Sequence, residues 1–248
     1  MDAVHPLRAL AEALDAPMVM TVNARGILDG KHPLAVPCNA SLNAIRALMQ
    51  EADVILAIGT EFGPTDYDWN ETGTPLLSGT LIRVDIDPEQ AMRGHRADCV
   101  IVADATATAD ALLKAIAPAQ SRNGAARAQT ARARVMQEDM NPIYRASIAL
   151  LDELRQTLPD TVIVGDSAQP VYAASVAYAA DKPRSFFASA TGFGTLGYAL
   201  PAAIGAQLAA PGRPIVALMG DGGLQFTLNE IASAVEAETP VILIVWNN

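Results

Sequence analysis

The chain has 248 residues, 51% of them hydrophobic, with 17 basic against 27 acidic side chains and a formal net charge of −10. It is too apolar for a disordered chain and has no basic cluster to neutralise phosphates, which argues against nucleic acid as a partner and predicts repulsion from anionic membranes. No segment reaches the roughly 18 apolar residues of a membrane span, and residues 1–10 carry Asp2, His5 and Arg8 where a signal peptide is apolar, so a cytoplasmic protein is expected.

Taken in order, short apolar runs alternate with helical spacings. The first half predicts helix 7–14, strand 18–22, helix 42–51, strands 54–58, 81–86 and 100–102, and helix 106–116. Between the second and third strands, Asp66, Tyr67, Asp68, Trp69, Asn70 and Glu71 read as an exposed loop suited to a subunit contact. Asp87 before Pro88 reads as a helix N-cap with proline at the first helical position, rather than as a metal site. Residues 118–140 turn polar and arginine-spotted without an apolar face, and read as a linker. The second half predicts helix 143–158, strand 162–164, helix 171–179, strand 185–188, helix 198–209, strand 215–219, a helix opening near Thr227, and strand 241–246. The alternation predicts an α/β fold of two parallel-sheet, doubly wound domains, over 1–117 and 141–248. Cys38 and Cys99 lack metal-ligand spacing and read as two core thiols in a reducing compartment. His5, His32 and His95 are scattered singly and are given no catalytic role.

The chemistry concentrates near the end. Run 215–219 empties into Gly220-Asp221-Gly222, and 24 residues later run 241–246 stops at Asn247-Asn248. Between them Thr227 and Glu230 make a candidate capping box, Leu228, Ile231 and Val235 recur at helical spacing, and Thr239-Pro240 ends the helix. A right-handed crossover of strand, loop, helix and strand places both strand ends on the carboxyl rim, where open α/β sheets bind ligands. Asp221 and Asn248 would then face each other as hard oxygen donors. Such a pair suits Mg²⁺, which takes one or two protein ligands and completes its octahedron with phosphate oxygens and water. The glycines beside Asp221 admit close backbone approach, and the helix start offers N–H groups to an anion. A metal-bound diphosphate matches this description.

That line of residues resembles the thiamine diphosphate (ThDP) motif of the acetolactate synthase, pyruvate decarboxylase and benzoylformate decarboxylase family. The resemblance implies that Asp221 and Asn248 hold Mg²⁺ or Ca²⁺ between the cofactor's phosphates. It also places Gly220, Gly222, Gly223 and Leu224 on the phosphate side, contributing through the backbone. The stretch Thr191-Gly192-Phe193-Gly194-Thr195-Leu196-Gly197-Tyr198 is similar to the segment whose bulky residue, here Leu196, props the cofactor in a bent shape while Gly194 and Thr195 meet the aminopyrimidine. Gly165-Asp166-Ser167-Ala168-Gln169 resembles the diphosphate-side loop after the domain's first strand, with Gln169 the contact. Two departures stand out: Pro170 occupies a place where many relatives carry histidine, and Gly223-Leu224 replaces a serine-aromatic pair. Residues 16–21, 32–34, 52–60 and 81–88 resemble the same family's central domain.

The resemblance therefore implies part of a ThDP- and Mg-dependent 2-oxo acid decarboxylase or carboligase, a homodimer or homotetramer at full length. The family's activating glutamate lies in a pyrimidine domain without a counterpart here, so no catalytic residue is assigned. The chain is expected to be a fragment, inactive alone, that lacks the first central-domain strand and stops at Asn248. Acetolactate synthases usually carry FAD in the central domain, and the sequence leaves a flavin open. Residues 223–227 and Trp246 look closer to decarboxylases of larger 2-oxo acids, including the guanidino-oxopentanoate type. A rival reading takes Gly192, Gly194 and Gly197 as a G-x-G-x-x-G fingerprint with Asp221 as the ribose acid of an NAD(P)-binding dehydrogenase, although such a site has no use for paired asparagines. A third reading is a non-catalytic assembly subunit.

Overall fold

A computed structural model describes residues 3–63, 66, 77–117, 121–238 and 240–247. They form two compact units, Met1–Thr21 with Ile27–Asp139, and Val22–Gly26 with Met140–Asn248. Both are α/β with parallel sheets.

In the first unit, α1 (Val4–Leu14) leads to β1 (Met18–Val19), which pairs with β2 (Ala35–Val36). After α2 (Asn43–Gln50) come β3 (Val54–Ile58), β4 (Thr80–Asp85) and β5 (Cys99–Val102), a second parallel sheet in the order β3-β4-β5. Helix α3 (Pro88–Met92) opens as its sequence demands: Pro88 occupies the first turn and Asp87 Oδ1 accepts the Glu89 N–H at 2.8 Å. Helix α4 (Ala105–Ala115) starts in the same way, with Asp104 accepting from the Ala107 N–H at 3.0 Å.

Three expectations for this unit are corrected, and one strand is added. The strand expected over 18–22 stops at Val19, because Val22 turns into a 3₁₀ segment, Val22–Ala24, that belongs to the other unit. Strand β2 carries no signature in the sequence, because two residues leave no periodicity to read. The expected linker contains helix α5 (Gly124–Arg134) and a π turn (Val135–Asp139), and Ala128, Ala131 and Val135 are buried. An alanine face packs closely while contributing little hydropathy, so composition disguised it. Cys38 is buried but Cys99 is exposed, since β5 is an edge strand covered on neither side except at Ile101. The Asp66 to Glu71 cluster lies outside the described residues apart from Asp66, whose carbonyl accepts the Ser41 N–H at 3.1 Å.

The second unit begins with α6 (Pro142–Thr157), followed by β6 (Val162–Gly165), α7 (Gln169–Ala177), β7 (Phe186–Ala188), α8 (Ala199–Ala209) and β8 (Ile215–Gly220). Two short helices, α9 (Asp221–Phe226) and α10 (Glu230–Glu236), then precede β9 (Ile242–Trp246). The sheet order is β7-β6-β8-β9, all parallel. Strands β6 and β8 lie at its centre and are buried on both faces, which explains their unbroken apolar runs. On one face Val162, Val164, Ile215, Ala217 and Met219 pack against Ala199, Leu200, Ala203 and Ile204 of α8. At the end of β6, Gly165 has no side chain because a Cβ there would stand 2.5 Å from Val171 of α7.

This order fixes where a ligand can go. The chain leaves β6 towards β7 on one side and returns to β8 on the other, so the carboxyl ends of β6 and β8 flank a topological switch point. Among the described residues, no helix is long and apolar enough to cross a membrane.

Candidate functional site

The loops after β6, β7, β8 and β9 share one rim because the four strands are parallel. Register pairs Gly220 with Trp246, so Asp221 and Asn247 each come directly after paired residues of adjacent strands. Asp221 and Asn247 are both exposed; Asn248 lies outside the described residues. The Gly-Asp-Gly triplet runs directly into helix α9, which opens on Asp221, rather than into the expected loop. Gly220 is extended, with φ −76° and ψ 160°, and hands the chain straight from strand to helix. Gly222 is exposed with open space where a Cβ would lie, whereas Gly223 is buried. Leu224 is half-buried and packs at the margin of the α8 core.

The expected capping box is absent. Thr227 ends α9, and its hydroxyl donates to the Gly197 carbonyl at 3.2 Å, while Asn229 precedes α10 without a side-chain cap. The hydroxyl is taken by a loop thirty positions away in sequence, a competitor that no local pattern displays.

That loop comes after β7. Ser189 O accepts the N–H groups of Gly192 and Gly194, both at 3.0 Å, and Gly194 and Gly197 adopt left-handed φ of +67° and +82°. The turn leaves Gly194, Thr195 and Leu196 exposed, Leu196 at 46%. Ser189 is buried, and its hydroxyl finds no hydrogen-bond partner among the described residues. Gln169 is the first residue of α7 and half-buried at the same rim, with Pro170 buried behind it.

Sequence reasoning passed over Asp166. It comes directly after β6 and is fully buried, with Oδ1 accepting the Ser167 N–H at 2.7 Å and Oδ2 the Gly197 N–H at 2.6 Å. An acid closing an apolar strand was the available signal.

At the rim Leu196, Asp221, Gly222 and Asn247 are all exposed. A cavity of about 740 Å³, lined among others by Gln207, Arg213, Ile215 and Ile242, lies at the opposite end of the sheet, where β8 and β9 begin. The dehydrogenase arrangement is also disfavoured, because β6 stands between β7, which carries the glycine turn, and β8, which carries Asp221. A ribose-binding acid belongs one crossover on from the glycine turn, on the strand beside it.

Comparison with known proteins decides the family. The description "Thiamine pyrophosphate enzyme, central domain" matches residues 1–112, and "Thiamine pyrophosphate enzyme, C-terminal TPP binding domain" matches residues 166–248. The chain belongs to the thiamine diphosphate-dependent enzymes. Across its whole length it is 39% identical to a Pseudomonas aeruginosa protein named "Probable 2-ketoarginine decarboxylase AruI", covering 44% of that relative. It is 29% identical to the Escherichia coli acetolactate synthase isozyme 3 large subunit, over 98% of this chain and 44% of the relative. Similarity extends to the sulfoacetaldehyde acetyltransferase of Castellaniella defragrans, 30% identical over the whole chain and 46% of the relative. The chain thus spans less than half the length of these ThDP-family relatives.

Proposed function

We propose that this chain supplies the diphosphate- and metal-anchoring side of a ThDP- and Mg²⁺-dependent enzyme that decarboxylates a 2-oxo acid. The register of Gly220 with Trp246 carries the reading, because it brings the Asp221 turn beside the strand that runs into the asparagine pair. The residues present suit the group. Asp221 is an exposed hard oxygen donor, and Gly222 and Gly194 leave open space against the backbone. Leu196 offers an exposed apolar branch, and the buried Ser189 hydroxyl lacks a partner among the described residues on the same rim.

In this reading Asp221 and Asn248 hold the metal, with Mg²⁺ favoured over Ca²⁺ by so small a set of protein donors. Gln169, Gly220, Gly222, Gly223 and Leu224 lie on the diphosphate side, and Gly194, Thr195 and Leu196 on the ring side. When bound, ThDP supplies the nucleophile for the keto carbon and the electron sink for breaking the bond to the carboxylate; the protein contributes orientation and electrostatics. The likeness to a protein named as a 2-ketoarginine decarboxylase favours a larger 2-oxo acid with a guanidino tail as substrate, over the two-substrate condensation of an acetolactate synthase.

Titration of ThDP into the intact protein tests this directly. Binding is expected only with Mg²⁺ present, and Asp221→Ala is expected to weaken it by more than the about 10–100-fold that loss of an outer-shell metal partner costs. In the full-length enzyme, CO₂ release should be faster from 2-ketoarginine than from pyruvate. Metal-independent binding, or full affinity in Asp221→Ala, would sink the site; acetolactate formed from pyruvate as the main product would sink the substrate assignment.

A further inference from the structure

We infer that Asp166 is a positioning residue: its buried carboxylate clamps the turn that presents Leu196 and Gly194 to the sheet rim. This rests on the ThDP reading above. Asp166 emerges from β6 at the switch point, its backbone N–H donating to the Leu218 carbonyl of β8 at 2.9 Å, so its Cα is tied to the sheet on the β8 side. From there the side chain reaches two further segments. Oδ1 closes on its own chain at Ser167 N, opening the turn that leads to Gln169, while Oδ2 accepts the N–H of Gly197 at 2.6 Å, the residue after Leu196. Oδ2 also faces α9: a Cβ added to Gly223 would sit 3.3 Å from it, closer than ordinary contact. One side chain therefore meets the loop after β6, the turn after β7 and the helix after β8, the three segments to which the cofactor contacts are assigned.

The chemistry calls for a carboxylate. Each oxygen accepts an N–H, so neither is placed to donate, and among the described residues no Lys or Arg forms an ion pair with Asp166. A buried carboxyl group whose two oxygens each accept a backbone N–H holds both segments through short, directional bonds, and removing one acceptor strands a buried donor. Asparagine has the same shape but only one acceptor oxygen. In Asp166→Asn the amide NH₂ must oppose either Ser167 N or Gly197 N, donor against donor. Gly197 is the bond with more to lose, because its φ of +82° is held from one side by Asp166 and from the other by the Thr227 hydroxyl on its carbonyl.

The experiment is ThDP titration in Mg²⁺ with the intact protein and its variants Asp166→Asn, Leu196→Ala and the double variant, alongside thermal unfolding without cofactor. Asp166→Asn is expected to weaken ThDP binding by about 10–100-fold, in the range for loss of a supporting partner, while still unfolding cooperatively. If Asp166 acts through the turn, the double variant should bind no worse than the weaker single variant; losses that multiply would overturn the inference, as would full affinity in Asp166→Asn. Hydrogen–deuterium exchange on the unaltered protein gives a second reading that does not depend on the variant folding. The Gly197 amide should exchange far more slowly than that of exposed Thr195, and equal rates would refute the clamp. Failure of the unaltered protein to bind ThDP would overturn the cofactor reading and this inference with it, whereas normal binding by the unaltered protein and by Asp166→Asn alike would remove only the inference.

Discussion

At the scale of single residues, two glycines of this unit do opposite things. Gly197 sits at φ +82°, and a Cβ there would lie 2.9 Å from Phe226 Cβ and 3.0 Å from Thr227 Cγ2. Gly205 is an exposed interior residue of α8 with open space around it. Gly197→Ala should therefore destabilise the protein by about 1–3 kcal/mol through backbone strain alone, and more once the contact with α9 is counted. Gly205→Ala should stabilise it by about 0.5–1 kcal/mol by removing an unproductive helix glycine. Thermal unfolding of the two variants checks both signs, and the same sign for both would contradict this account. The glycine spacing 192, 194, 197 was visible in the sequence. Its purpose was not, because a fingerprint for a nucleotide and a turn beside another cofactor share the need for left-handed backbone and differ only in which strand stands alongside.

At the scale of elements, local chemistry predicted boundaries well wherever one residue acts on its near neighbours. Asp87 and Pro88 open α3 as expected, and Asp104, which carried no sequence expectation, opens α4 in the same way. It failed where the partner is remote. Thr227 had the spacing of a cap and became a bond to Gly197, and α5 had no cap of its own. Its start is held instead by Asp15, from the end of α1, whose Oδ2 accepts the N–H groups of Arg122 at 2.6 Å and Gly124 at 3.3 Å and the Ser121 hydroxyl at 3.3 Å. Those bonds, the Arg122 N–H foremost, hold the Asp15 carboxyl below its ordinary range. Asp15 is itself left-handed, with φ 45°, so Asp15→Gly keeps the backbone comfortable while removing the carboxylate. The expected result is faster amide exchange in the first turn of α5 with α1 still protected. Unchanged exchange across 122–127 would show that the alanine face alone holds the helix.

At the scale of the whole molecule, the acidic balance shapes its response to pH. Hydrogen bonds depress the carboxyls of Glu12 (from His32, then Arg8), Asp15 (from Arg122 N–H), Asp104 (from Ala107 N–H), Glu138 (from Arg134) and Asp160 (from Lys182). Each folded value lies below the unfolded one of about 4, so in acid the unfolded chain binds more protons. The stabilisation is whole above about pH 5 and drains away as pH falls through about 4 towards the folded values. Because these groups are largely exposed, the decline should be gradual and shallower in high salt. Tyr178 works in the other direction. Burial raises its hydroxyl to about 12, against an unfolded value of about 10, so stability is lost as pH rises between the two. Melting temperature measured from about pH 3 to about pH 12 should show both limbs, and Tyr178→Phe should flatten the alkaline one alone; an unchanged alkaline limb would refute that assignment. What the amino-acid order determined by itself was the alternation of strands and helices, the strand ends at Gly220 and Trp246, and the residue types gathered near them, since periodicity, chain breaks and spacing act between neighbours. The sheet order that brings Asp166 to Gly197 was decided by folding alone, as were the exposure of Cys99 on an edge strand and the docking of α5 under Asp15. Each depends on which surfaces remain to be covered once the central strands have paired, and that competition is settled across dozens of residues at once.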